Sequence, residues 1–404
     1  MFYTTFALIQ ERKEPLDERV VLSPIQLREA QDRYPRARFI IEPSRHRIFP
    51  KVVYEKAEFD VTEDLAEADV LIGVKEVPIE ALVAGKKYMF FSHTIKKQPY
   101  NRDLLRAVLE KNIELYDHEA LTAKSGLRLV GFGRYAGLVG AYNGIRAFCL
   151  REKIIDLPKV VALSGMEAMF TQLAKVKLPN IKIALTGSGR VAQGAVEVLE
   201  IMNIEKVSVE DYLNKSFDHP VYTQLYVMDY NKRKDGNPGS AEEFINDPTP
   251  YISDFKKYTT VSDLFIAGHF YGEGAPYLFT REDAKADDFN INTVADISCD
   301  IDGPVASTIR SSSIQEPLYG YDPKTEKEVA FDAPGAITVM AVDNLPCELP
   351  RNASEGFGEM FLNNVLPAFF DGDSDGILER ARVTQNGQLT ERFSYLQDYV
   401  DGKE

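Results

Sequence analysis

A buried strand, a glycine turn and an amphipathic helix in direct succession constrain this chain more than any other feature. Residues 181–185 form a short apolar run, Gly187-Ser188-Gly189-Arg190-Val191-Ala192-Gln193-Gly194 follows it, and apolar residues then recur at helical spacing over 191–202. That context separates a dinucleotide-binding fingerprint from a chance pair of glycines. Gly187 permits the tight turn, and Gly189 lets the backbone approach a pyrophosphate. Ser188, Arg190 and Val191 bring backbone N–H groups to a helix N-terminus, the positive end of the helix dipole. Ala192 stands at the third fingerprint position, where a small residue allows close packing of helix on strand. A second strand is expected over 207–209. Glu210 after it falls about twenty residues past the turn, where an acidic side chain accepts a hydrogen bond from the adenosine ribose. Lys232, Arg233 or Lys234 folding back would instead suit a 2′-phosphate, so the residues leave NAD against NADP open.

The same alternation runs through the rest of the chain. Residues 6–9, 38–41, 69–74, 87–91 and 113–116 are expected strands, with Asp103 capping a helix over 104–109. Residues 264–267, 293–297 and 337–342 are expected buried strands after the turn. The charge-, Gly- and Pro-rich stretch 229–250 is expected as a surface excursion. Strand–helix alternation of this kind predicts the α/β class, with two Rossmann-like domains built on parallel sheets.

Composition bounds the rest. A chain of 404 residues exceeds one ordinary core, and 44% apolar with 27% charged residues is the balance of a folded globular protein. A net charge of −15 without a Lys/Arg cluster excludes a general nucleic-acid surface. Cys149, Cys299 and Cys347 are odd in number and far apart, which predicts neither disulfides nor a metal site. The opening residues show no basic leader, and no apolar run approaches the ~20 residues that span a bilayer. A cytoplasmic location without membrane attachment is the expectation. Oligomeric state is open.

Charged residues gather where the expected strands of the first part end: at 12–19, 75–76, 93–96 and 117–119. Lys75 follows the run 70–74 directly, where partial desolvation would lower its pKa and fit it for acid–base work. His93 follows 88–91 in the same way and titrates near neutrality. Arg19 and Arg128 offer bidentate forks for carboxylates.

At these residues the chain resembles the alanine dehydrogenase and saccharopine dehydrogenase superfamily, most closely the lysine-2-oxoglutarate reductase half of bifunctional aminoadipic semialdehyde synthase. Phe90-Phe91-Ser92-His93-Thr94-Ile95-Lys96 carries most of the resemblance. Gly73-Val74-Lys75, Gly131-Phe132-Gly133, Asp296-Ile297-Ser298-Cys299-Asp300 and Asp343-Asn344-Leu345-Pro346 add to it. The resemblance implies a central cleft between a substrate and catalytic domain (1–140 plus 345–404) and an NAD(P)-binding Rossmann domain (141–344). It implies that Lys75 and His93 are the acid–base pair and that Arg19 and Arg128 hold substrate carboxylates. Glu119 would join the same polar network, Lys96 would tune His93, and Asp300 would stand near the nicotinamide and the substrate amine. His269, in an ordinarily apolar position, is placed on the cofactor side.

The implied reaction is the reversible reductive condensation of L-lysine with 2-oxoglutarate to saccharopine, using NAD(P)H. The implied partners are those small molecules. No synthase-type second enzyme is expected to follow. An alanine dehydrogenase-like enzyme would use the same acid–base pair, and a non-catalytic dinucleotide-binding regulator would be expected to lack it. Glu14 stands where relatives carry a lysine before the proline, with Lys13 one place earlier, and Arg134 replaces an uncharged residue.

Overall fold

The computed structural model describes residues 3–403, which fall into two units. One runs to Phe132 and resumes at Pro350, and the other is Gly133–Leu349. The expected boundaries therefore move. Residues 133–140 and 345–349 belong to the second unit, because the helix Gly133–Arg151 and the 3-10 turn Leu345–Glu348 pack together there.

The first unit holds strands β1 (Thr4–Leu8), β2 (Ala37–Ile41), β3 (Asp60–Val61), β4 (Val70–Ile72), β5 (Lys87–Phe90) and β6 (Glu114–Asp117). All pair in parallel, in the order β3-β2-β1-β4-β5-β6. Their near-continuous apolar runs reflect burial on both faces. The order reverses between β1 and β4, the point beyond whose carboxyl ends ligands bind in open α/β sheets. Helix Pro24–Arg33 starts from a capping box of Ser23 and Gln26. Helix Arg102–Glu110 has Asn101 at its cap. Asp103 sits two positions inside the first turn rather than at the cap as expected, where its charge still faces the helix dipole. The returning segment completes this core with Phe357, Phe361 and Leu362, and it is tied in by Val20 N–H to Ser354 Oγ (2.9 Å) and Leu115 N–H to Thr384 Oγ1 (3.0 Å).

The second unit holds β7 (Lys182–Thr186), β8 (Glu205–Lys206), β9 (Val221–Leu225), β10 (Asn231–Arg233), β11 (Tyr251–Ser253), β12 (Leu264–Ala267), β13 (Thr293–Asp296), β14 (Leu318–Asp322), β15 (Lys327–Val329) and β16 (Ile337–Met340). Its main sheet runs β15-β14-β16-β13-β12-β7-β9-β8. This sheet is mixed rather than parallel as expected, since β14 and β15 pair antiparallel at one edge. The expected surface excursion is also ordered. β10 and β11 form a hairpin around helix Ala241–Asn246, with Arg233 engaging Asp235 and Glu243, so its mixed charges pair within the segment.

Two helices of this unit touch backbone to backbone. A Cβ on Gly137, in helix Gly133–Arg151, would lie 1.9 Å from the Val191 carbonyl oxygen, and one on Gly194, in helix Arg190–Ile201, would lie 2.0 Å from that of Arg134. Arg134 closes the same contact with a fork onto the Glu197 carboxylate at 2.7 and 2.6 Å, which accounts for its charge as a helix-to-helix tie. Gly137→Ala should cost about 2 kcal/mol or more in urea unfolding, because backbone rather than a flexible side chain must give way.

In the first unit His118 is fully buried beside Phe91 and Phe357, with ring centroids 5.0 and 5.2 Å away, and its Nε2 donates to the Gly73 carbonyl at 2.9 Å. Loss of solvation lowers its pKa to about 4 against the support of that hydrogen bond, so the ring is neutral at pH 7. The folded value lies below the ordinary 6.5, so the stabilisation is whole above that pH and is lost as pH falls toward 4. His118→Gln keeps a donor without a titrating ring. Between pH 7.5 and 4.5 the wild type should therefore lose up to about 3 kcal/mol more than this variant, read by urea unfolding at both pH values.

Candidate active site

The charged segments expected at strand ends do converge beyond β1, β4, β5 and β6. After β5 the chain turns sharply. His93 (φ 52°) and Lys97 (φ 55°) are both left-handed and flank the 3-10 turn Thr94–Lys96. Such strain in non-glycine residues persists where surrounding contacts over-determine it. Those contacts are visible next door, where Ser92 N–H (3.2 Å) and Ser92 Oγ both reach Asp117 and Ser92 Oγ also meets Thr94 Oγ1 at 2.7 Å. Burial raises the Asp117 carboxyl to about 6 although the Ser92 hydroxyl opposes it.

Glu76, buried one residue beyond Lys75, is the centre of the first cluster. Its Oε1 accepts from Lys13 Nζ (2.7 Å) and Asn101 Nδ2 (3.2 Å) and lies 2.6 Å from His93 Nδ1. Burial alone would raise this carboxyl, but the hydrogen bonds from His93 and Lys13 outweigh it and hold the group at about 2. Glu76 is thus a carboxylate throughout the neutral range, which assigns the proton to His93 Nδ1 and leaves Nε2 for proton exchange.

Glu119 forms the second cluster. Its Oε1 takes Lys96 Nζ and Arg128 Nη2, each at 2.9 Å. Burial opposes ionisation, yet Lys96 first and then Arg128 and His93 hold the carboxyl below its ordinary range. Arg19 is buried, donates through Nε (2.9 Å) and Nη2 (2.5 Å) to Asp17, and lies 4.1 Å over the Phe132 ring. Asp17 is held at about 2, the Arg19 charge overcoming the effect of burial.

Lys75, His93, Arg19, Lys96, Glu119 and Arg128 are therefore gathered on the first unit. Glu76, Asp17 and Glu11 join them without having been singled out. All three stand in or next to the same charged strand-end segments, which was the available signal. Asn101 carried none, since it closes a separate 3-10 turn, Pro99–Asn101, away from the charged segments in sequence.

In the second unit the glycine turn sits between β7 and helix Arg190–Ile201. Gly187 has φ 104°, and a Cβ there would fall 2.5 Å from the Gly268 carbonyl oxygen. Gly189 caps the helix, and a Cβ there meets nothing within 4 Å. The open space over Gly189, with N–H groups from Arg190 and Val191 at the helix start, fits a pyrophosphate. Glu210 departs from its expected position. Ser208 caps helix Val209–Asn214 at that point, and Glu210 is exposed in its first turn. The strand beside β7 is β9, tied to the turn by Gly187 N–H to Leu225 O (2.9 Å) and Gln224 Nε2 to Gly187 O (3.0 Å). His269 lies buried after β12, its Nδ1 2.8 Å from Thr186 Oγ1, and burial lowers its pKa to about 4. Asp300 is on the loop after β13, which buried Asp296 anchors through Ser298 Oγ (2.6 Å), Cys299 N–H (3.1 Å) and Thr308 Oγ1 (2.6 Å).

Among the described residues no helix is long and apolar enough to cross a membrane, and no cluster of His, Cys, Asp and Glu could hold a metal ion. Residues 7–139 match the family described as alanine dehydrogenase/PNT, N-terminal domain. The mitochondrial alpha-aminoadipic semialdehyde synthase of Rattus norvegicus is 28% identical over 90% of this chain, and the alignment spans 45% of that protein, so the chain covers less than half of such a relative. The NAD(+), L-lysine-forming saccharopine dehydrogenase of Yarrowia lipolytica is 24% identical, over 89% of this chain and 90% of its own. A solved L-alanine dehydrogenase shares the fold, with a TM-score of 0.64 at 16% identity over 99% of this chain and 100% of that one. Residues 7–139 are thus similar to the alanine dehydrogenase/PNT N-terminal domain, and the chain is similar along most of its length to the aminoadipic semialdehyde synthases and the saccharopine dehydrogenases.

Proposed function

We propose that this chain is an NAD(P)-linked oxidoreductase of the L-lysine-forming saccharopine dehydrogenase type, joining L-lysine to 2-oxoglutarate reductively and catalysing the reverse. The observation that carries this reading is the cluster around Glu76 and Glu119. There His93 and Lys13 meet Glu76, Lys96 and Arg128 meet Glu119, and Lys75 and Arg19 act on Asp17, on an otherwise acidic protein; in this reading Lys75 and His93 are the proton-exchanging pair. A local excess of cations suits a substrate with two carboxylates.

In this reading the first unit binds the amino-acid partners, and the second holds the dinucleotide on Gly187, Ser188, Gly189, Arg190 and Val191. Arg128 and Arg19 orient carboxylates, Arg19 being held in place by Asp17. Condensation requires an amine freed of its proton, attack on the ketone with loss of a second proton from nitrogen, and protonation of the resulting hydroxyl so that it leaves as water. His93 exchanges protons through Nε2 while Glu76 holds the ring by its Nδ1, and Lys75 serves the complementary step. When bound, the dinucleotide supplies or accepts the hydride. A carboxylate does stand at the end of β9, since Asp229 Oδ2 accepts the Tyr226 N–H at 2.7 Å.

NADH or NADPH oxidation should require lysine and 2-oxoglutarate together. Turnover on pyruvate with ammonia instead would assign an alanine dehydrogenase-like activity and overturn the proposal. Lys75→Met and His93→Gln should each lower turnover roughly 10²-fold or more at unchanged dinucleotide affinity, and near-normal rates in both would remove the acid–base assignment. Gly189→Val should abolish dinucleotide binding in titration calorimetry while its Tm stays within about 5 °C of wild type, since the open space permits the side chain but not the ligand as well.

A further inference from the structure

Lys75 stands on a piece of backbone that is held from several directions. Ile9 N–H to Ile72 O (3.1 Å) is the hydrogen bond from β1 to the end of β4. Beyond it the β1 chain has turned away, and the Glu11 side chain takes over. Its Oε1 accepts the Val74 N–H at 2.7 Å and its Oε2 the Lys75 N–H at 2.8 Å. Successive groups along a strand point to opposite sides, so two consecutive N–H groups converging on one carboxylate mean that the chain has left the strand at Val74. Such a pair forms an anion-holding concavity, filled here by the protein's own carboxylate. On the other sides Gly73 N–H donates to Met89 O (3.0 Å), Phe91 N–H donates to Val74 O (3.0 Å), and His118 Nε2 donates to Gly73 O (2.9 Å). Space is tight as well, since a Cβ on Gly73 would lie 3.1 Å from the Ile9 side chain and 3.4 Å from Glu11 Oε1.

We propose that Glu11 is a positioning residue for Lys75, its carboxylate fixing the peptide that presents this side chain while His118 fixes the carbonyl two residues before it. The inference rests on the acid–base role proposed for Lys75. Glu11 does not itself exchange a proton with a reactant in this scheme. The charged groups that face it are Asp17 and Arg19, and the Lys75 charge acts in turn on Asp17. Although part of the residue is exposed, its carboxyl group is enclosed, and loss of solvation pushes it up to about 7 against the two backbone donors.

The test uses the full chain with Glu11→Gln, Glu11→Asp, Lys75→Met and the Glu11→Gln/Lys75→Met double variant. The amide of Glu11→Gln can accept only one of the two N–H groups and turns an NH2 against the other. Turnover should fall roughly tenfold or more with dinucleotide affinity unchanged, and amide hydrogen exchange of Val74 and Lys75 should rise by a similar factor while that of Leu104 and Leu105 stays put. Added to Lys75→Met, the same change should alter turnover less than about twofold, because the two residues act as one unit. If Glu11→Gln does not fold, Glu11→Asp, which reaches at most one donor, should show the same exchange and turnover changes at smaller size. Wild-type turnover and exchange in whichever variant folds, or an undiminished effect of Glu11→Gln on top of an already impaired Lys75→Met, overturns the proposal while leaving the role of Lys75 intact. Near-normal turnover of Lys75→Met alone instead removes the role of Lys75, and the positioning function falls with it even if exchange has risen.

Discussion

Two buried carboxylates, Glu76 and Glu119, can remain ionised only because cations gathered at the strand ends reach them. Taking a carboxylate out of water costs several kcal/mol unless partners replace the lost solvation. Lys13 comes from the segment after β1 and His93 from that after β5, and both meet Glu76. Lys96 and Arg128 come from the segments after β5 and β6 and both meet Glu119. Each loop is therefore tied to a neighbour through an acid that cannot afford to lose it. The left-handed backbone at His93 is sustained by the same ties. One ring nitrogen of His93 is committed to Glu76, so the acid–base role proposed for this residue falls to Nε2 alone.

The second unit solves a different problem with absence rather than charge. Its glycine turn and its helix-to-helix contact both depend on missing Cβ atoms, but with different consequences. Gly187, Gly137 and Gly194 are required by protein atoms already in place, whereas Gly189 faces open space. A single motif thus contains one glycine that the fold needs and one that the fold would give up without cost. Reading GxGxxG as one functional block conceals that division.

Strands and the dinucleotide turn were legible because their signals are local: apolar runs of the right length, bounded by polar residues, place β1, β2, β5, β7 and β12 to within about two residues. The β14–β15 hairpin escaped because short edge strands carry weak periodicity. Glu210 was misplaced because counting residues from the turn assumes that the next strand in sequence is the next in space. Here β8 lies at the sheet edge and β9 takes the place beside β7. The cations and acids of the site could be found by their position after strands, but not their pairings. Nothing in one dimension distinguishes Glu11 reaching two backbone N–H groups from Glu14 lying exposed three residues later.

The division of the chain also bears on how it is made. The second unit is one continuous stretch, while the first needs Pro350 and beyond to complete its core. Val20 finds its hydrogen-bond partner 334 residues away, and Leu115 finds its own after 269. During synthesis the six-stranded sheet must wait, with the face that Phe357 and Phe361 will cover still open, while the whole intervening unit emerges and folds. Assembly in that order leaves the half that bears Lys75 and His93 as the last to become native, and the most in need of protection from aggregation while it is incomplete.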